Sequence, residues 1–183
     1  MNQPHIVALG GALRTGSTTE RLLARALALA EEKGARTTLL AGEDIDFPNF
    51  DPATAGESEA VGRMVETIRT ADALVLGSPG YHGTLSGLVK NALDHLELLR
   101  SDQRVYLDGM PVGLVAVAAG WQASVATLTT LRTIVHSLRG WPTPMGVAVN
   151  GAEAGDTVEG AEEHLAIMVD QMMDFLTSRS AGR

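Results

Sequence analysis

Two loops hold most of the residues whose types and spacing point to chemistry. Residues 78 to 94 read Ser-Pro-Gly-Tyr-His-Gly-Thr-Leu-Ser-Gly-Leu-Val-Lys-Asn-Ala-Leu-Asp, and they follow an apolar run, Ala73 to Gly77, that reads as a buried strand. A strand that ends in Ser-Pro-Gly and passes into a helical pattern gathers several free backbone amides at one spot. That spot is the carboxyl edge of a parallel sheet, where open α/β proteins hold their ligands. The run Gly10-Gly11-Ala12-Leu13-Arg14-Thr15-Gly16-Ser17-Thr18-Thr19 is a second loop of the same kind. The first turn of a helix carries unpaired amides and the positive end of the dipole, which suits a phosphate. Ser17 and Thr19 add hydroxyls and Arg14 a guanidinium. The same residues also fit a purely structural role, because Ser17-Thr18-Thr19-Glu20 has the form of a capping box. Glu20 would repel a phosphate if it pointed inward. The loop alone leaves both readings open. Together, the two loops point to one phosphorylated, partly aromatic ligand lying across them.

Other chemistries are excluded by what is missing. Gly11 to Thr18 has the spacing of the phosphate loop of nucleoside triphosphatases, but Ser17 stands where that loop requires lysine. The dinucleotide fingerprint of three spaced glycines is absent. The chain has no cysteine, which removes disulfides, thiolate nucleophiles and thiolate metal sites. The five histidines, His5, His82, His95, His136 and His164, have no ligand spacing, so no metal site is expected. The net charge is −8, from 14 basic and 22 acidic residues, which argues against nucleic acid as a partner. Neither a signal peptide nor a segment apolar enough to span a bilayer is read, so a cytoplasmic protein without a membrane partner is expected.

The elements that must position these loops alternate along all 183 residues. Strands are expected at Ile6 to Leu9, Thr37 to Leu40, Ala73 to Leu76, Pro111 to Ala119 and Met145 to Val149. Helices are expected from Ser17 to Glu32, Ser58 to Thr70, Leu85 to Arg100, Ala123 to Arg139 and Val158 to Ser178. Gly34 reads as a helix stop, and 44 to 57, with Pro48, Pro52 and Gly56, as an irregular loop. Gly151 to Asp156 reads as the least ordered stretch. Strict alternation implies parallel strands joined by right-handed crossovers. A barrel needs roughly eight such units and about 250 residues, so a doubly wound sheet within one domain, 1–183, is the expectation.

Taken together, the loops resemble the flavodoxin-like NAD(P)H-dependent FMN reductase family. The family's first pattern, Gly-Ser-x-Arg-x-x-Ser-x-Asn, stands here as Gly11-Ala12-Leu13-Arg14-Thr15-Gly16-Ser17-Thr18-Thr19. Its second pattern matches at Ser78, Pro79, Tyr81, Gly83, Gly87, Lys90, Asn91 and Asp94. The resemblance implies a three-layer α/β/α sandwich on a five-stranded parallel sheet in the order 2-1-3-4-5. It also implies FMN as cofactor and NADPH or NADH as hydride donor. Arg14, Ser17, Thr18 and Thr19 would hold the phosphate; Pro79, Gly80, Tyr81, His82 and Gly83 would line the ring; Gly120 and Trp121 would form a third loop. No side chain is assigned a catalytic role, because the cofactor does the chemistry. The implied partners are a small-molecule electron acceptor, such as a quinone, azo compound or metal oxyanion, or a flavin-dependent monooxygenase that takes reduced FMN. A homodimer or homotetramer is implied, with Lys90 and Asp94 on a helix used in subunit contacts.

This chain departs from the patterns at Ala12 for a serine, Thr19 for asparagine, Gly80 for a commonly acidic residue and His82 for a common asparagine. Several residues also have plain readings. Tyr81 is a ring contact or a half-buried turn aromatic, and Trp121 is a flap over the flavin or core packing. His82 tunes the site or is incidental. Lys90 and Asp94 form at least a weak intrahelical ion pair. Met168, Met172 and Met173 fall at helical spacing and read as core or interface. A flavodoxin-type electron carrier is the non-enzymatic rival, and the acidic loop residues Glu43, Asp44, Asp46 and Asp51 leave it open.

Overall fold

The computed structural model describes residues 3–153 and 157–181. Its strands are β1 (His5–Gly10), β2 (Arg36–Ala41), β3 (Ala73–Tyr81), β4 (Thr84–Leu85), β5 (Pro111–Ala118) and β6 (Trp141–Asn150). Its α-helices are α1 (Thr18–Glu32), α2 (Glu59–Arg69), α3 (Gly87–Asp94), α4 (Trp121–Ser137) and α5 (Glu162–Ala181). The sheet runs β2-β1-β3-β5-β6, and all these neighbours are parallel. Counting only these five long strands, this is the expected 2-1-3-4-5 order. The difference is β4, a two-residue strand that folds back antiparallel on the end of β3. The chain first winds from β1 outward to β2, then returns to β3 on the other side of β1. The carboxyl ends of β1 and β3 therefore form the switch point where doubly wound sheets place ligands.

Alternation along each strand divides the core in two. Val7 and Leu9, Leu74 and Leu76, and Val112, Leu114 and Ala116 face α2, α3 and α4. Ile6 and Ala8, Ala73 and Val75, and Val115 and Val117 face α1 and α5. Strands buried on both faces must be apolar throughout, which explains the unbroken apolar runs. Met168 and Met172 are fully buried against the second of these layers and Met173 packs at its margin, so these methionines are core.

Several boundaries differ from the sequence expectation, each for a physical reason. β3 runs on through Ser78 and Pro79, which pair with Ala116 and Val117 of β5. Proline is rare in a central strand because it cannot donate to the ladder. Here β1 has already ended opposite Gly77, so no strand flanks Pro79 on that side. β6 begins at Trp141 and contains Pro142 and Pro144. It is an edge strand, and its register against β5 shifts between Val112 and Leu114, which accommodates both prolines. The expected long third helix is α3 followed by a 3-10 segment, His95–Leu99. α4 starts at Trp121, two residues earlier than expected, and α5 is preceded by a 3-10 turn, Glu159–Ala161. Short 3-10 turns also interrupt the expected loop, at Gly42–Ile45 and Ala55–Glu57. Gly34 closes α1 as read: its N–H bonds Glu31 O while Ala35 N–H reaches Ala30 O, the two bonds of a Schellman motif. The stretch read as least ordered falls at 154–156 outside the described residues. Its earlier part is tied down by Gly151 N–H to Ala118 O and Ala152 N–H to Asn150 Oδ1.

Candidate active site

Three loops leave the carboxyl edge of adjacent strands β1, β3 and β5. The first two are drawn together by backbone: Gly11 N–H donates to Gly77 O at 3.1 Å. Gly10 has φ +141°, and a Cβ there would lie 1.8 Å from Gly77 O. No other residue fits where these backbones meet.

In the first loop, Ser17 caps α1, its Oγ accepting from Glu20 N–H at 3.3 Å. Glu20 answers, but its carboxylate accepts from Gly16 N–H at 2.9 Å and not from the capping residue itself. Ser17 N–H bonds Arg14 O instead. The capping reading is therefore correct as structure. It does not consume the amides of Thr18 and Thr19, which as first-turn groups have no intrahelical acceptor. Arg14 is exposed, Thr18 is half-buried, and Thr19 is almost wholly buried.

The second loop is a hairpin. Gly80 pairs with Leu85 and Tyr81 with Thr84, leaving His82 and Gly83 as a two-residue turn. Both have positive φ, 50° and 92°, the signature of a type I′ turn that matches strand twist. This geometry carries Tyr81 outward, 55% exposed, so it is not a half-buried turn aromatic. Ser78 braces the hairpin from beneath. It is fully buried, its Oγ accepting from Ser86 N–H at 2.9 Å and donating to Pro79 O at 2.8 Å. Ser86 in turn caps α3 through Val89 N–H. Asn91, in the same motif, anchors the neighbouring segment: its amide donates to Phe47 O and Pro48 O and its Oδ1 accepts from Phe50 N–H. Lys90 and Asp94 pair with each other along the exposed side of α3 at 2.6 Å.

The third loop is short because α4 begins at Trp121. Gly120, at φ +115°, donates to Asn150 Oδ1 at 2.7 Å. Trp121 is 53% exposed, which rules out core packing, and its Nε1 donates to Glu153 Oε1 at 2.6 Å. Glu153 also accepts from Asn150 Nδ2, so the last residue of β6 and the turn after it fix the third loop. Sequence reasoning missed Asn150, Glu153 and Thr127. Asn150 ends β6 and Glu153 follows it at the same sheet edge, which was the available signal. Thr127 gave none: it is a buried α4 residue whose Oγ1 has no hydrogen-bond partner and lies against Gly80.

Each loop thus presents one large exposed apolar side chain, Leu13, Tyr81 or Trp121, and the first adds the unpaired amides of a helix start. The helix start suits an anionic group, and the exposed apolar side chains suit a planar aromatic one. Among the described residues no group of three or more His, Asp or Glu side chains could hold a metal ion, and no helix is long and apolar enough to cross a membrane. A cleft of about 600 Å³ between α1 and the start of α5 holds Arg25 and Glu162, and shares no residue with the three loops. There Glu162 is held below the usual carboxylate range by its hydrogen bonds to Arg25.

Comparison with known proteins bears on the family and the fold. The family profile described as NADPH-dependent FMN reductase matches residues 4–154. The FMN-dependent NADPH-azoreductase of Staphylococcus aureus is 31% identical over 142 residues, covering 73% of this chain and 72% of that protein. Among solved structures, a flavoenzyme NAD(P)H:(acceptor) oxidoreductase from Paracoccus denitrificans superimposes with TM-score 0.77 at 22% identity, over 96% of this chain and 98% of that one. An oxidoreductase from Corynebacterium diphtheriae gives TM-score 0.75 at 19% identity, over the same two shares. A flavodoxin from Pseudomonas aeruginosa gives 0.60 at 14%, over 92% of this chain and 99% of that one. At these identities the structural likenesses concern the fold.

Proposed function

We propose, because the chain belongs to the NADPH-dependent FMN reductase family, that this NAD(P)H-dependent oxidoreductase holds FMN across its three loops and passes electrons to a small aromatic acceptor. The observation that carries the assignment of the site is the convergence of three loops at the carboxyl edge of β1, β3 and β5, each with one exposed apolar side chain. Bound FMN would supply the chemistry that no side chain here has, accepting a hydride from NAD(P)H and releasing two electrons onward.

The chain's own residues bind and orient. Arg14 and the first-turn amides of Thr18 and Thr19 are proposed to hold the phosphate, with Ser17 setting the start of α1. The backbone from Pro79 to Gly83 lines the ring, and Tyr81 and His82 project from its turn. Gly120 and Trp121 close the third side, the indole held by Glu153. Exposure of Tyr81 and Trp121 leaves room for the nicotinamide and then the acceptor to approach the ring. An azo compound or quinone is the proposed acceptor class, and the azoreductase relative supports the azo compound. The exposed α3 side bearing Lys90 and Asp94 is the proposed contact of a homodimer or homotetramer.

The test is NADPH consumption by purified protein, with and without added FMN, with an azo dye or a quinone as acceptor. Oxidation that requires flavin and accelerates with the acceptor is expected. Absence of NADPH oxidation under all conditions would overturn the proposal in favour of an electron carrier.

A further inference from the structure

The first loop is partly occupied by the protein's own anion. Glu20 Oε2 accepts from Gly16 N–H at 2.9 Å, one residue further into the loop than the reciprocal bond of a capping box. The loop also closes on itself through Ser17 N–H to Arg14 O, at 3.3 Å. Ala12 removes a hydroxyl from the same loop. These changes all act where the phosphate tail is proposed to bind, and none touches the hairpin or the third loop.

We infer that Glu20 is a specificity-determining residue: its carboxylate, held at Gly16 N–H beside the first-turn amides of Thr18 and Thr19, opposes the flavin phosphate there. The protein then discriminates weakly between FMN and riboflavin and holds FMN as an exchanging ligand. This rests on the flavin reading above. The physical basis is a repulsive element set at the one point where the two flavins differ. A carboxylate beside a phosphate of nearly two charges opposes its binding. The ring, bound through the second and third loops, is unaffected.

The test uses the full chain and Glu20→Gln, with dissociation constants for FMN and riboflavin from quenching of flavin fluorescence. Glutamine keeps an acceptor for Gly16 N–H and preserves the helix start, which unfolding curves of both proteins check. In the parent protein the two constants are expected to agree within about threefold, and Glu20→Gln is expected to tighten FMN by roughly tenfold while riboflavin stays unchanged. FMN affinity unmoved by the substitution, or FMN and riboflavin moving together, overturns the inference alone. A parent protein that binds FMN but not riboflavin also overturns the inference alone, and failure of both flavins to bind either protein overturns it together with the flavin reading.

Discussion

Gly80 sits under pressure from α4, and replacing it with alanine tests how the hairpin is held. A Cβ at this position would lie 2.4 Å from Thr127 Oγ1, 3.0 Å from Ala118 Cβ and 3.4 Å from Thr127 Cβ. The Gly80 backbone does not have positive φ, so the cost is one of space and not of conformation. Neither neighbour yields easily: Thr127 is fully buried with a β-branched side chain in a helix, and Ala118 is in β5. Overpacking of this kind costs about 1–3 kcal/mol. For a chain of this size each kcal/mol lowers Tm by roughly 2–4 °C, so Gly80→Ala is expected to lose about 2–12 °C. The hairpin moves with Gly80, so FMN affinity should fall by on the order of tenfold, about 1.4 kcal/mol. Thr127→Ala removes the atom at 2.4 Å and, since that hydroxyl has no partner, sacrifices no hydrogen bond. Urea unfolding of the two single variants and the double variant, followed by tryptophan fluorescence, measures the coupling. The penalty of Gly80→Ala should shrink by about 1 kcal/mol or more in the Thr127→Ala background. An equal penalty in both backgrounds would refute the steric account.

Three further perturbations follow from single contacts. Ser78→Ala leaves the buried Ser86 N–H without its acceptor, so a loss of about 1–3 kcal/mol is expected in urea unfolding, and no loss would show the brace to be dispensable. His82→Asn relaxes a positive φ at the first position of a type I′ turn, where asparagine is favoured. It should raise stability by about 0.5 kcal/mol, and a lower urea midpoint would contradict the turn assignment. His5 is buried at the start of β1, and burial, aided by Arg36, holds its imidazole below the ordinary value of 6.5. The unfolded chain therefore takes up a proton at higher pH than the native chain, so stability is full above about pH 6.5 and falls as pH drops toward the folded-state value. Urea midpoints at pH 7.5 and 5.5 should differ, and His5→Gln should narrow that difference; an unchanged difference would clear His5 of the effect.

What the sequence by itself determined is the βα alternation, the double-sided burial of the strands and the two loops, because these depend on local periodicity and helix-start chemistry. Leu74 and Leu76 against Ala73 and Val75 already divide into two faces by period two. The Ser-Pro-Gly-Tyr-His-Gly run marked the place of the second loop, though not its form. Tertiary structure alone decided that Pro79 is a strand residue, since this depends on β1 ending opposite Gly77. It decided which way Glu20 points, whether Trp121 is core or surface, and that Asn150 and Glu153 fix the third loop. It also brought Thr127 against Gly80, 47 residues earlier in the chain. The reason is common to all of these but one. Apart from Glu20, which turns on a local choice between Gly16 N–H and Ser17 N–H, each depends on contacts between segments far apart in sequence, and pairing of those segments is settled by strand order and packing, which local pattern does not encode.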